Sequence, residues 1–380
     1  MPVGVRFLHT SDWQLGMTRA FLPTESQARY SDDQIEAVRK LARVAEEYDC
    51  AFVVVAGDVF DSIQPDHRVL TRAIDALTTF SVPIYLLPGN HDADSPAAFW
   101  STGDVLKRFP SSVHLVRDTA PVQVPGVAAE VAGAPWPSRR PDSDLLGSAL
   151  SQLTPVRTGT VRVVLGHGGV DSLAPDPLNE ALISVAGLMS ALSDRRATYI
   201  ALGDRHSVTR IADCAWYCGA PVATDFDEVD PNKALVVDLD SNRVAVEPID
   251  IGGWRFVRKR FDLNGPEGVS LVETYLAEIP EKERTVVRLA FIGTINLSTN
   301  ELLEQVLDKS KDLLAGLERS ELRSELLVLP DDSDLAALDL SGFASDAVAE
   351  LAGTAAGDTA GAEVARDALM LLHRLAARSR

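Results

Sequence analysis

The sequence predicts an α/β protein, in which sheet strands alternate with covering helices. Three observations carry this. Along the first two-thirds of the 380 residues, short β-branched apolar runs alternate with segments whose apolar residues recur at helical spacing. Some of those runs are apolar throughout, as strands buried on both faces are. Hydrophobic residues make up 46% of the chain, which is enough for a sizeable core and excludes global disorder.

The elements follow in order. Residues 5–10 form a short apolar strand stopped by Ser11-Asp12. Residues 32–47 are helical, with Ile35, Val38, Leu41, Ala42 and Ala45 on one face. Residues 52–56 are a buried strand, 68–77 a helix and 82–87 another buried strand. This βαβαβ rhythm implies a sheet flanked by helices. Further strands are expected at 161–165, 199–202, 235–239 and 244–248. The interval 137–155, rich in Pro, Ser and Asp, reads as a surface excursion. A boundary falls near Gly252-Gly253, so the first domain is 1–252. A second, 253–330, reads as a small α+β unit: strand 254–263, helix 269–279, strand 285–292, helix 299–317 and strand 322–329. Residues 331–380 are an Ala- and Asp-rich linker ending in a helix over 363–377.

Charge and composition bound the function. The chain carries 36 Lys and Arg against 55 Asp and Glu, a formal net charge of −19. General nucleic-acid binders are usually basic, so this balance speaks against one. The longest apolar stretch, 51–56, is far below the roughly 20 residues a membrane helix needs. The first residues run straight into a strand with no secretion signal, so a soluble cytoplasmic protein without membrane contact is expected. Cys50, Cys214 and Cys218 lack Cys-x-x-Cys spacing, which argues against a disulfide framework and a structural zinc site.

In such sheets ligands collect where strands end. Here the ends share a pattern: an apolar run, usually a Gly, then Asp, Asn or His. They are His9 to Gly16, Gly57-Asp58 to Asp61, Gly89-Asn90-His91-Asp92, Gly166-His167-Gly168 and Gly203-Asp204-Arg205-His206. Carboxylate, imidazole and amide ligands together suit Mn²⁺, Fe²⁺ or Zn²⁺. Two such ions about 3.5–4 Å apart can activate a water and clamp a phosphate. A carboxylate must bridge them, and Asp58, ending the most buried strand, is the best candidate.

Taken in order, these segments resemble the calcineurin-like metallophosphoesterase superfamily. The finer resemblance is to SbcD-type DNA double-strand-break repair exonucleases. Residues 9–16 resemble that family's His-Thr-Ser-Asp-x-His-Leu-Gly, and 57–61 its Gly-Asp-x-Phe-Asp. Tyr217-Cys-Gly-Ala-Pro and Asp225-Phe-Asp-Glu228 resemble its Tyr-x-Gly-Ser and Phe-x-Glu segments. The resemblance is strong over 3–250 and weaker over 254–330. It implies a four-layer α/β/β/α sandwich, a nuclease domain over 1–252 and a DNA-capping domain over 253–330. Asp12, Asp58 and His206 would hold one metal; Asp58, Asn90, His167 and the residue at 204 would hold the other. His91 would stabilise the transition state or protonate the leaving oxygen, with Asp92 orienting its ring.

Two positions depart from the family pattern, Gln14 and Asp204, where the family has His. Gln14 still offers a carbonyl oxygen, and Asp204 adds a charge. Together they make the site harder, favouring Mn²⁺ or Mg²⁺. They also motivate a rival reading, a catalytically weak scaffold that senses DNA ends and regulates an ATPase. A second rival is a phosphodiesterase on small nucleotides.

Singly, these residues have plainer explanations. Asp12 and Asp58 are residue types that cap helices, His167 sits in a glycine turn, and His9 reads as structural. Arg258 and Arg260 share a strand face, fit for phosphate contact or for a charged, protected edge. Arg139, Arg140 and Arg205 are further candidates for DNA backbone contacts. The expected partners are DNA, a coiled-coil ATPase of the SbcC type and a second copy of the chain. Two divalent ions would offset about four negative charges where the phosphate sits, so the acidic balance does not exclude DNA.

Overall fold

The computed structural model describes residues 4–174, 179–240, 243–329, 331, 334, 343–355, 357 and 360–378. It divides into two compact units, one of residues 1–20 and 27–254, the other of residues 21–26 and 255–380. The second unit thus takes in both the expected capping segment and the helical tail.

In chain order the first unit has β1 (Val5–Thr10), α1 (Thr24–Glu47) from residue 27 onward, β2 (Phe52–Val55), α2 (His67–Leu77), β3 (Ile84–Leu86), α3 (Gly103–Leu106), β4 (Val113–Leu115), β5 (Val122–Gln123), β6 (Ala129–Gly133) and α4 (Leu145–Gln152). It continues with β7 (Val161–His167), α5 (Val185–Ser193), β8 (Tyr199–Gly203), β9 (Val208–Ala212), β10 (Ala215–Cys218), β11 (Lys233–Leu239) and β12 (Val244–Asp250). Two six-stranded sheets result, ordered β12-β11-β1-β2-β3-β4 and β5-β6-β7-β8-β10-β9. They are mixed α/β layers flanked by helices, as expected. Parallel pairing runs through β1 to β4 in one and through β6, β7, β8 and β10 in the other.

A core of alternate strand residues lies between the sheets. Phe7 stacks on Phe52 at 5.0 Å and meets Tyr199 edge-on at 5.4 Å. Tyr85, Leu87, Val131, Val163 and Leu165 complete it, all at most 1% exposed. The outer face of the second sheet is covered by α4 and α5, whose Leu146, Leu150 and Leu188 pack with Val164, Ile200 and Leu202. The stretch 137–155 is therefore more than a surface excursion. Inside it Asp144 caps α4 by accepting from the Gly147 N–H, and the Leu146-Ala149-Leu150 spacing buries one face. The Pro- and Ser-rich flanks mask that pattern in the sequence.

The second unit contains β13 (Arg255–Leu263), α6 (Pro266–Glu278), β14 (Thr285–Ile295), α7 (Leu297–Lys311), β15 (Gly316–Arg319), β16 (Glu325–Val328), α8 (Phe343–Ala355) and α9 (Ala360–Arg378). The sheet pairings are all parallel, so strands and helices alternate rather than segregate as in an α+β unit. The helix expected through 317 ends at Lys311, and Gly316–Arg319 is instead a strand paired with β14. Among the described residues, no helix is long and apolar enough to cross a membrane.

Two expectations follow. Arg162, almost buried beneath sheet two, pairs with Glu130 at 2.6 Å and donates to the Thr154 and Arg196 carbonyls. Removing the carboxylate leaves a buried cation unpaired, so Glu130→Ala should lower unfolding free energy by about 3–5 kcal/mol in denaturant titration. Burial pushes the Cys50 thiol up to about 12, and Cys218 is wholly buried. Native protein should therefore react with a thiol-specific disulfide reagent at partly exposed Cys214 alone, as peptide mapping would read.

Candidate metal centre

Parallel strands align their carboxyl ends, and the ends of the two sheets meet here. Thr10 pairs with Val55 and Val55 with Leu86 in one sheet; His167 pairs with Gly203 in the other. The loops after β1 and β2 are laced together: the Asp12 N–H donates to the Gly57 carbonyl at 3.0 Å, and the Gln14 N–H to that of Asp58 at 2.9 Å. The turns are sharp. Asp12, Gln14, Asp58 and Asp204 have φ of 53°, 43°, 54° and 94°, a region that non-glycine residues seldom adopt. Such strain persists only where surrounding bonds over-determine it, and it concentrates at functional sites. Gly57 and Gly203 are glycines for a steric reason. A Cβ on Gly57 would strike the His167 ring, and one on Gly203 the Ala56 carbonyl.

Asp12, Asp58 and His167 are all buried, and one ligand atom from each lies within 4.8 Å of the others. Around them the structure brings Asn90, Asp204, His206 and Gln14. His167 Nε2 is 2.8 Å from Asn90 Oδ1, 3.5 Å from Asp58 and 3.8 Å from Asp204. His206 Nε2 is 3.7 Å from Asp12 and 3.2 Å from the Gln14 amide. The Asp204 N–H donates to both Asp12 oxygens at 3.1 Å.

The outer nitrogen of each imidazole is held. His167 Nδ1 lies 2.8 Å from the Ala56 carbonyl, which can only accept, so this nitrogen carries the hydrogen and Nε2 faces the cluster. His206 Nδ1 meets Glu228 at 2.8 Å, and Glu228 also accepts from the Thr224 N–H at 2.9 Å. Carboxylate and carbonyl partners of this kind fix the ring and leave the other nitrogen for a metal. Glu228 and Thr224 carried no role in the sequence reading, although the segment around Glu228 was among its matching motifs.

His91 sits beside the cluster. Its backbone N–H donates to Asp58 at 2.9 Å, and its Nδ1 is 3.1 Å from Asp61 Oδ1. The expectation that Asp92 orients this ring is corrected. Asp92 is wholly buried and its oxygens accept from the Gly89 and Phe60 N–H groups at 2.8 and 3.2 Å. It fixes the turn carrying Asn90 and His91, while Asp61 holds the ring.

The electrostatics follow from burying like charges together. Burial raises the Asp12 carboxyl, and it raises Asp92 to about 7 with help from Asp58. Burial opposes ionisation of Asp58 too, but His167 outweighs it and the carboxyl is lowered. The hydrogen bond to Asp61 raises His91. The Gln14 Oε1 is buried without a partner among the described residues. An orphaned acceptor beside carboxylates, amides and two directed imidazoles fits a divalent cation.

The arginines are dispersed. Arg205 lines an open cleft of about 470 Å³ together with Gln14, Asp58, His91, Asp204 and His206. Arg139 and Arg140 are exposed on the loop after Trp136, whose indole donates to the His167 carbonyl at 2.8 Å. Arg258, partly buried, and Arg260, exposed, lie on β13 of the second unit.

Comparisons with known proteins agree with this geometry. Residues 5–237 match the family described as calcineurin-like phosphoesterase, and the chain belongs to it. The SbcD component of the nuclease SbcCD from Bacillus subtilis strain 168 is 24% identical over 268 residues, 61% of this chain and 66% of that protein. Its namesake in Escherichia coli K12 is 26% identical over 271 residues, 63% and 66% of the two chains. The DNA double-strand break repair protein Mre11 of Methanosarcina mazei is 24% identical over 318 residues, 80% of this chain and 48% of that one. The chain therefore spans just under two-thirds of the length of the first two relatives.

A cation that binds only the folded cluster stabilises it by mass action, by about 2.7 kcal/mol at a hundred times its dissociation constant. Mn²⁺ should raise the thermal midpoint of protein stripped with a chelator, and Asp58→Asn should abolish the rise.

Proposed function

We propose that this calcineurin-like phosphoesterase is a metal-dependent DNA phosphodiesterase acting in repair or recombination. The convergence of Asp12, Gln14, Asp58, Asn90, His167, Asp204 and His206 from five strand ends carries the reading. The names of the relatives supply its choice of DNA. In this reading Asp12, Gln14 and His206 would hold one ion and Asn90, His167 and Asp204 the other, with Asp58 available to both. Mn²⁺ is the favoured metal, since Gln14 and Asp204 bring oxygen where an imidazole would bring nitrogen. When bound, the ions would supply Lewis-acid activation of a water and charge stabilisation on the phosphate.

The remaining chemistry belongs to the chain. Asp61 holds His91 Nδ1, so Nε2 is free to hand a proton to the departing oxygen. Asp58 accepts the His91 N–H and thereby fixes the ring's distance from the cluster. Asp92, by tying Gly89 and Phe60, keeps that turn from moving. Arg205 binds substrate backbone at the rim through its terminal N–H groups, its Nε being held by Thr209 at 2.8 Å. Arg139, Arg140, Arg258 and Arg260 are further backbone contacts in this reading.

A coiled-coil ATPase of the SbcC type is the proposed partner. Val364 and Leu371, a heptad apart on α9, are 68% and 55% exposed, which suits a partner helix.

The test compares turnover of linear duplex DNA, single-stranded DNA and a cyclic nucleotide with Mn²⁺. The proposal expects DNA to be cut and the cyclic nucleotide to be spared. His91→Ala should lower kcat by about 10²–10⁴-fold while Mn²⁺ still raises the thermal midpoint. Cleavage of the cyclic nucleotide alone would overturn the assignment to DNA, and undiminished cleavage by His91→Ala would overturn the site.

A further inference from the structure

We propose that Arg19 binds a second phosphate of the substrate, beside the one that is cleaved, and so selects polynucleotides over single diesters. The inference rests on the nuclease reading above.

Arg19 lines the same cleft as Gln14, Asp58, His91 and Glu228. It lies outside the motifs that drew attention in the sequence, five residues beyond Gln14. The backbone there is pinned. Gln27 accepts from the Arg19 N–H at 2.8 Å through Oε1, and its amide donates to the Met17 carbonyl at 3.2 Å. Both bonds come from one side chain of α1, so residues 17–19 are fixed to a long helix rather than left as a free loop.

The side chain is in an unusual state for this chain. Its Nε is buried and has no hydrogen-bond partner among the described residues. No carboxylate among them forms an ion pair with it, although acids outnumber bases by 55 to 36 in the sequence. Two of the acids that line the cleft are engaged elsewhere. Glu228 serves His206 and Thr224, and Asp225 accepts from the Phe226 N–H. A buried donor left unpaired costs stability and calls for an acceptor.

Only two residues of the cleft carry such orphaned atoms among those described, and they are opposite in kind. Gln14 Oε1 is an acceptor beside the carboxylates and wants a cation. Arg19 Nε is a donor and wants an anion. A guanidinium presents two N–H groups in a fork that matches two phosphate oxygens. The cleaved phosphate belongs at Asp58 and His91, and Arg19 and Arg205 both line the cleft around them. A substrate with one phosphate occupies the cluster alone. A polynucleotide brings the neighbouring phosphate that Arg19 requires.

The experiment uses the full chain with Mn²⁺ and two substrates, a labelled single-stranded oligonucleotide and bis(p-nitrophenyl) phosphate. Arg19→Gln should raise KM for the oligonucleotide about tenfold, the scale of a charge-assisted hydrogen bond. The effect on the single diester should be at least about fivefold smaller, and Arg19→Lys should recover part of the loss. In metal-free protein, the slope of log affinity for the oligonucleotide against log salt should fall by about 0.7 in Arg19→Gln. Equal effects on both substrates, no effect on either, or an unchanged salt slope would overturn the role of Arg19 while leaving the nuclease reading intact. Wild-type protein that hydrolyses the single diester and never the oligonucleotide would overturn the nuclease reading, and this inference with it.

Discussion

Two carboxylates, those of Asp12 and Asp58, are each 1% exposed and face the same small space. Burying like charges together is among the most costly arrangements a fold can contain. The surrounding structure answers that cost. His167 draws the Asp58 carboxyl down against burial, the Asp204 N–H donates to both oxygens of Asp12, and the His91 N–H donates to Asp58. Each answering group comes from a different strand end. The two sheets must therefore close on each other with their carboxyl ends aligned, or the acids cannot be paired.

This demand reaches into the backbone. Four residues of the cluster take left-handed conformations, which lets their side chains turn inward from the ends of extended strands. The laced loops after β1 and β2 hold three of them there. The Phe7, Phe52 and Tyr199 rings fix the spacing of the sheets directly beneath. Stability and site geometry are thus not separable in this unit: the same packed strands that bury apolar surface bring the acids together.

Much of this was legible in the sequence. The strands β1, β2, β7 and β8 announce themselves as continuous apolar runs, and the polar residues that end them are the ones that meet. The misses have physical causes. Asp92 directly follows His91 whereas Asp61 lies 30 residues earlier, so sequence proximity favours the wrong partner; only the fold shows that Asp92 turns into the protein to bind backbone N–H groups and that Asp61 reaches the ring. Glu228 lies 22 residues from His206, and their pairing depends on the loop after β10 returning to the site. Helix α4 was hidden because its apolar face spans barely two turns between Pro- and Ser-rich flanks. Arg19 carried no motif; its meaning comes from an Nε that has no partner among the described residues, and that is a property of three dimensions.

The formal charge of −19 takes on a different sense once the acids are placed. A polyanion approaching this surface meets repulsion that scales with unscreened negative charge, except where divalent cations and arginines reverse it. The cleft is such a place. Its Asp58 and Asp204 belong to the cluster and suit cations, while Arg19 and Arg205 hold guanidinium groups without carboxylate partners among the described residues. In the proposed function attraction would concentrate near the scissile phosphate and at the few dispersed arginines, and the rest of an acidic surface would offer little to hold nucleic acid. Under the proposed function, association with DNA would depend on the metals, on these arginines and on whatever a partner contributes, and an acidic chain could act on DNA through local binding.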